Sequence, residues 1–458
     1  MLLFPLWTVL VSVPCVYLTA RYTKGRLTTL FVSLCFLVSA TLVLLSFSRF
    51  TGSVSVAYIN DLLLLEVSRV AVLSSLFFMV CTLSFLIYYL PTVAESNLPE
   101  AAALIHLLIF CALGSFFSAD LLSFSIFFEA VPLFALALVL SEGKVESPPY
   151  QYLFYFTPSV LLLVFVGLAA ESVCQLNAVT FQVGATSLLA AVLAARLLFF
   201  PFGQPALKCL PLSGRAAVSY ALFSLPAVAL FALLKFLPHS GFLGQAVLIM
   251  AGLSMTVWAI LCYIQGKRGS GMLYAYLAQT ATVAVMVVYL MLNGRSEPGV
   301  CLLIVGNHLV SSLGMLICVS EDEGKRGRLG NVALVFFVFC MLGLPPSPGF
   351  FGRLILFKTS FAATDLPGYL LRLSFLVNLF VVYCQSRDLA PVISRMKTGP
   401  KTSALLTAAL LLLGGCLIAG MVFTTSLKNY LSVSTLAGAR DAYSLAVYVH
   451  RTAAAERG

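Results

Sequence analysis

Residues 342–358 read LGLPPSPGFFGRLILFK. Pro345, Pro346 and Pro348 cannot continue an α-helix, because each proline removes a backbone donor and crowds the turn before it. Yet the prolines lie between apolar runs, NVALVFFVFCM before them and LILF after them. They therefore fall where a membrane span is expected. Broken backbone at membrane depth survives only where protein or a wet cavity receives its polar groups. The pattern has a precedent earlier in the chain, at 195–211, ARLLFFPFGQPALKCLP, with Pro201 and Pro205. Each break carries a cation close by: Arg196 before Pro201 and Arg353 after Pro348. Interrupted spans at matching places in two halves point to inverted repeats around an ion path. Kinked helices in an ordinary bundle are the plainer alternative.

Composition sets the frame for these breaks. The chain has 458 residues, 61% of them hydrophobic and 10% charged, whereas ordinary soluble domains are about 25% charged. Such a chain cannot cover its own surface with polar groups, so it is expected to cross a membrane many times. The net charge of +10 does not indicate a nucleic-acid partner. Its basic residues sit in short loops between apolar runs and form no single patch. Cys35, Cys81, Cys111, Cys262, Cys340 and Cys416 lie inside apolar segments with no CxxC pair, and read as small buried hydrophobes. No Walker loop, GxGxxG turn, HExxH helix or serine elbow is present, so soluble enzyme chemistry is not expected in this chain. The apolar start, 1–26, lacks a preceding basic region and reads as a first membrane helix rather than a signal peptide.

Apolar stretches long enough to span give an all-α membrane protein of about 14 transmembrane helices. Their centres fall near residues 11, 37, 79, 109, 130, 160, 192, 225, 252, 282, 308, 340, 376 and 414. The breaks fall in spans 7 and 12. Alternation through SVSVAYI predicts a short hairpin outside the membrane. Most loops after odd-numbered spans are basic, as at Lys267 and Arg268 or Lys325, Arg326 and Arg328. Both termini then lie on the less basic side. The tail from 429 reads as a surface helix or disorder.

The second signal is SFSIFFEAVPLFALALVL, 123–140. Glu129 stands there in mid-span, where an acidic side chain costs roughly 3 kcal/mol to insert. Burial favours its neutral form, and a nearby cation favours its anion. A group balanced between those states can take and give a proton. The expected partner is Arg196 on a facing helix. The other ionisable candidates carry plainer readings. Lys235 and Lys358 lie near span ends and can snorkel. His106 and His308 sit in apolar helices, where a lone histidine is more often a satisfied core residue. The polar setting GNHLVSS makes His308 a relay candidate. Arg69 and Arg372 read as interfacial.

Several of these stretches together resemble the antiporter-like membrane subunits of respiratory complex I, the proton-pumping NADH:ubiquinone oxidoreductase. IFFEAVPLF resembles the family's fifth helix. ARLLFFPFGQPAL and SGRAAVSYALFSLPAVALFALLKF resemble the seventh and eighth. QGKRGSGMLYAYLAQ resembles the entry to the tenth, and GNHLVSSLGML with LGLPPSPGFFGR the eleventh and twelfth. PYQYLFYFTPSVLLL is closer to subunit 4 than to subunit 2. The resemblance covers roughly residues 100–385. It places Arg196 at the family's lysine before the proline. It also places Ala227 at an eighth-helix lysine, with Lys235 two turns on, and puts Ala281 and Asn307 at two histidines, with His308 beside the second. Arg353 stands where subunit 4 carries glutamate and subunit 2 lysine.

The resemblance implies helices 1–3 over residues 1–95, two inverted five-helix repeats over 96–238 and 239–388, and helix 14 with the tail over 389–458. It implies a proton-translocating role for Glu129, Arg196, Lys235, His308 and Arg353, in a mitochondrial inner membrane, with a bacterial inner membrane as the less favoured alternative. The partners would be other membrane-arm subunits, further antiporter-like subunits on either side, and lipids. No cofactor is expected in this chain. Flavin mononucleotide, iron–sulfur clusters and ubiquinone would belong to the rest of the complex. A subunit of a multisubunit cation/proton antiporter, a structural arm subunit that no longer pumps, and an unrelated transporter with broken helices are the alternatives.

Overall fold

The computed structural model describes residues 3–47, 54–58, 63–119, 121–142, 189–203, 216–236, 241–265, 271–292, 298–321, 326–361, 363–396 and 402–422. In chain order the helices are α1 (Phe4–Thr23), α2 (Arg26–Phe47), α3 (Arg69–Tyr89), α4 (Leu98–Phe117), α5 (Leu121–Ser141), α6 (Ala216–Phe236) and α7 (Gly241–Gln265). They continue with α8 (Gly271–Leu292), α9 (Pro298–Ser320), α10 (Gly327–Met341), α11 (Pro348–Ser360), α12 (Leu366–Arg395) and α13 (Ala404–Val422). Ten described helices are long and apolar enough to cross a membrane. Their positions coincide with ten of the expected centres. The centres near 340 and 414 fall in the shorter apolar helices α10 and α13, and that near 192 in the helical segment 189–196. The centre near 160 and the tail from 429 lie outside the described residues. The chain is a multi-pass membrane protein.

The expected hairpin is present. Strand β1 (Val54–Tyr58) pairs antiparallel with β2 (Leu63–Val67), with Val54 opposite Val67 and Val56 opposite Leu65.

Burial sorts the helices into an inner and an outer set. Helices α6, α8 and α9 are buried almost throughout. Helix α9 touches α3, α6, α8, α10, α11 and α13 and forms the centre of the bundle. A helix that is apolar all round belongs in such a core. Helices α1, α2 and α12 lie at the rim. They expose Leu27, Phe31, Leu42, Leu376 and Leu379, residues whose exposure in water would be a liability but which suit acyl chains. Cys35 belongs to that rim. It is exposed on α2, so its reading as a buried hydrophobe is corrected: an apolar run does not tell which of its faces meets a neighbour. Hydroxyls inside the bundle turn back on their own helices, as Ser75 to Ala71 O and Thr82 to Phe78 O.

Both proline breaks share one local design. The segment 189–196 ends where Phe199 N donates to Ala194 O and Leu198 N to Ala195 O, with Leu198 in the left-handed region at φ 59°. Helix α10 ends where Leu344 N donates to Phe339 O and Gly343 N to Cys340 O, with Gly343 at φ 64°. Each is a Schellman end, with 6→1 and 5→2 bonds closing around a left-handed residue. Each is followed three residues on by a cis proline, Pro201 and Pro346. Helix α11 then restarts on the Ser347 hydroxyl, which accepts from Phe350 N at 3.2 Å, with Pro348 in the first turn.

Gly343 has a second constraint. A Cβ there would lie 2.5 Å from Arg353 Nε. Gly343→Ala should therefore destabilise the protein by more than the ~1–2 kcal/mol that the left-handed backbone alone costs a non-glycine residue. A thermal-unfolding series in detergent checks this. An unchanged midpoint would show that the turn relaxes freely.

Candidate functional site

Glu129 is the ninth residue of α5, roughly 12 Å along the axis at 1.5 Å per residue and so near the middle of a span. Arg196 closes the helical segment 189–196, just before the first break. Arg196 Nη2 donates to Glu129 Oε2 at 3.1 Å, and the two side chains are 2% and 3% exposed. The sequence placed these groups on facing helices, and the structure brings them into one buried ion pair. Aromatic side chains pack close by: Phe128 adjoins Glu129 and stacks on Phe124. In such surroundings the effective dielectric constant is low and the attraction between the charges is strong. Desolvation opposes it. The pair is therefore sensitive to small changes in separation.

The first break is fastened to α7. Trp258 Nε1 donates to Leu198 O at 3.1 Å, and Phe200 N donates to Ser254 Oγ at 3.0 Å. Trp258 and Ser254 lie one helical turn apart and so share a face. They hold the end of the half-helix that carries Arg196.

A second polar centre surrounds the second break. Arg353 lies on α11 and is 5% exposed. Its Nη1 donates to Leu342 O at 2.7 Å, and its Nη2 to Met341 O and Gln279 Oε1, each at 3.0 Å. Gln279 Nε2 donates to Asn378 Oδ1 at 2.8 Å, and Asn378 Nδ2 to Leu342 O at 3.1 Å. Asn307 Nδ2 donates to Cys340 O at 2.8 Å. Three successive carbonyls at the end of α10 thus receive side-chain donors, and a helix C-terminus favours a cation there. Among the described residues Arg353 has no carboxylate within ion-pair distance. His308 shares this neighbourhood: its Nε2 lies 3.1 Å from Thr280 Oγ1, and its ring stacks on Tyr276.

The remaining candidates fall elsewhere. Lys235 is half-buried, and its Nζ donates to the carbonyls of Phe116 and Ser118, at the end of α4. It caps a helix C-terminus at the end of a span. His106 is fully buried against Ser12 of α1. Arg372 donates to Ala363 O and Gly368 O and stacks on Tyr369 near the start of α12. The side chain of Arg69 lies outside the described residues. The five proposed translocation residues thus divide among two clusters, Glu129–Arg196 and Arg353 with His308, and the separate helix cap at Lys235.

Sequence reasoning missed Gln279, Asn378 and Asn307 as site residues. A neutral amide costs less in hydrocarbon than a charge and draws less notice. The available signal was an amide in an otherwise apolar span, which demands partners for both its ends. Glu142 was also missed. Its Oε1 accepts from Ala217 N at 3.1 Å, a carboxylate at the positive end of α6.

No family model matches the chain. NADH-quinone oxidoreductase subunit N 1 of Sorangium cellulosum is 27% identical over 313 residues, 64% of this chain and 53% of that protein. The chain thus spans about half the length of that curated relative. Among solved structures, a chain of respiratory complex I from Thermus thermophilus with bound NADH superposes with a TM-score of 0.73 at 17% identity, over 95% of this chain and 99% of that one. A chain of the Mrp complex from Dietzia sp. gives 0.71 at 14% identity, over 98% of both. A chain of the archaeal membrane-bound sulfane sulfur reductase gives 0.70 at 17%, over 98% of this chain and 99% of that one. At these identities the likeness is one of fold.

Removing one partner of a buried pair costs about 3–5 kcal/mol, and removing both costs far less. Arg196→Met should therefore be more destabilising than Arg196→Met combined with Glu129→Gln. A double-mutant cycle by denaturant titration in detergent should give a coupling above about 1 kcal/mol. A coupling near zero would mean that the two side chains do not stabilise each other.

Proposed function

We propose that this chain is a membrane-arm subunit of a proton-translocating NADH:ubiquinone oxidoreductase of the respiratory complex I type, moving protons while other subunits carry electrons. The observation that carries the reading is the buried Glu129–Arg196 pair, one side of which sits on a proline-broken half-helix. The likeness to the Sorangium protein supports the redox-complex context. Subunit 4 is the closer assignment, by the sixth-helix resemblance, with the mitochondrial inner membrane as location. Flavin mononucleotide, iron–sulfur clusters and quinone are assigned to neighbouring subunits, and further antiporter-like subunits are the expected flanking partners.

The mechanism follows from the charge balance of the pair. With Arg196 at hydrogen-bond distance, Glu129 is held as the anion. When the half-helix carries the guanidinium away, a buried carboxylate without its cation takes up a proton. Return of Arg196 displaces that proton. The step is a two-state motion whose equilibrium a neighbouring subunit can bias. The half-helix 189–196 is the element that would move, with Trp258 and Ser254 fixing its position when the pair is closed. A subunit of a cation/proton antiporter is the second reading. The fold shared with the Mrp complex chain favours it, and the same pair would serve exchange there.

Glu129→Gln keeps the side-chain volume and removes the charge. In the native assembly, purified and reconstituted in liposomes, this variant should lower the number of protons moved per electron under NADH-driven turnover. An unchanged ratio in an intact assembly would rule the proposal out. Recovery of the chain without flavin and iron–sulfur proteins would favour the antiporter reading instead.

A further inference from the structure

The two halves of the bundle place similar groups at similar positions. Helices α4, α5 and α6 pack pairwise, and so do α7, α8 and α12. The broken segments in the two halves have the same Schellman end and the same spacing to a proline. Glu129 is the ninth residue of α5, and Gln279 is the ninth residue of α8. Each accepts a hydrogen bond from a buried arginine on its half's broken helix, Arg196 at 3.1 Å and Arg353 at 3.0 Å. Arg196 reaches its partner from before the break, Arg353 from after it. The chemical difference is one atom type: an ionisable carboxylate in one half, an amide in the other.

The surroundings of Gln279 require the amide. Arg353 donates to Gln279 Oε1, Gln279 Nε2 donates to Asn378 Oδ1, Asn378 Nδ2 donates to Leu342 O, and Arg353 donates to the same carbonyl. The ring closes with every donor facing an acceptor. A carboxylate at 279 has no proton for Asn378 Oδ1. Turning the Asn378 amide to suit it would set Oδ1 against Leu342 O. The guanidinium is matched by backbone carbonyls and by an amide oxygen, none of which titrates.

We propose that Gln279, Asn378 and Arg353 form a non-titrating counterpart of the Glu129–Arg196 pair. Its permanent positive charge near mid-membrane closes the second half of the bundle to protons and metal cations. This rests on reading the first pair as the proton carrier, and it adds a barrier function to residues outside that pair. Proton movement through the chain is then confined to the first half.

The assembly containing this chain, purified from its own host membranes, is reconstituted into liposomes and given a pH step without electron donor. Proton leak is followed with trapped pyranine. Arg353→Gln should raise the leak on the order of tenfold over wild type, because the repulsion of a buried unit charge is lost. Arg353→Lys keeps the charge and should stay as tight as wild type. A tight Arg353→Gln, or an Arg353→Lys that leaks as much as Arg353→Gln, would overturn the proposal. If Arg353→Gln does not assemble, Gln279→Glu is compared with Gln279→Leu, which breaks the same ring and keeps the charge unopposed. A leak raised in Gln279→Glu and not in Gln279→Leu supports the barrier; equal leaks in the two, or wild-type tightness in Gln279→Glu, overturn it. The turnover assay on Glu129→Gln is a separate measurement, so a failure of the proton-carrier reading is distinguishable from a failure of the barrier.

Discussion

A helix that stops inside an apolar bundle leaves carbonyls that water cannot reach, and each unmatched group costs several kcal/mol. The arrangement of this protein around its two breaks answers that constraint. A Schellman turn recovers part of each helix end from within. Side chains on other helices supply the rest: Trp258 of α7 reaches Leu198 O, and Arg353, Asn307 and Asn378 reach the carbonyls of Cys340, Met341 and Leu342. The packing of α7 on the first break, and of α8, α9 and α12 on the second, is therefore dictated by hydrogen bonding as much as by apolar contact. The close approach leaves no room for larger residues. A Cβ on Gly349 would lie 2.5 Å from Asn307 Nδ2, and one on Gly203 2.5 Å from Leu198 O.

The same reasoning explains where the charges sit. Lys235 caps α4, Arg353 caps α10, and Glu142 meets the first turn of α6. Cations lie at C-termini and the carboxylate at an N-terminus, as helix dipoles favour. Each of these contacts is to a backbone group, which cannot change protonation. Glu129–Arg196 differs, because each member is matched by another side chain with a full opposite charge. A charge held by a fixed dipole stabilises an architecture. A charge held by a titratable partner can be exchanged for a proton.

Much of this was legible in the sequence. Apolar run length located the described spans, alternation located the hairpin, and proline clusters located both breaks. Glu129 and Arg196 stood out because charge in hydrocarbon is costly enough to need a reason. What stayed hidden is what sequence spacing does not encode. Leu198 occupies a left-handed conformation that favours glycine, and nothing in ARLLFFPFG announces it. Its side chain is fully buried, and close packing within the bundle offsets the ~1–2 kcal/mol cost of the backbone. Cys35 looked like the other cysteines because a run of apolar residues has no marked outer face. Gln279 and Asn378 looked ordinary because their importance lies in meeting across 99 residues of chain, in a ring that only the folded state closes.

The contrast between the two polar centres bears on how one bundle accommodates two buried arginines. If both centres carried an acid–cation pair, each would have two charge states, and the bundle would have to manage two protonations in one low-dielectric interior. Sites that interact strongly titrate as a set, not individually. An amide at the second position removes that coupling while keeping the hydrogen bond that orients the arginine. A buried arginine held by neutral groups keeps one charge state, whereas one held by a carboxylate belongs to a pair with two. Moving a carboxylate into the ring at Gln279 would disturb more than a charge, since the Asn378 amide and the Leu342 carbonyl depend on the direction of each donor around it. The closed ring and the titratable pair are two solutions to one problem, a buried arginine beside a broken helix, and they differ in whether the partner can hold a proton.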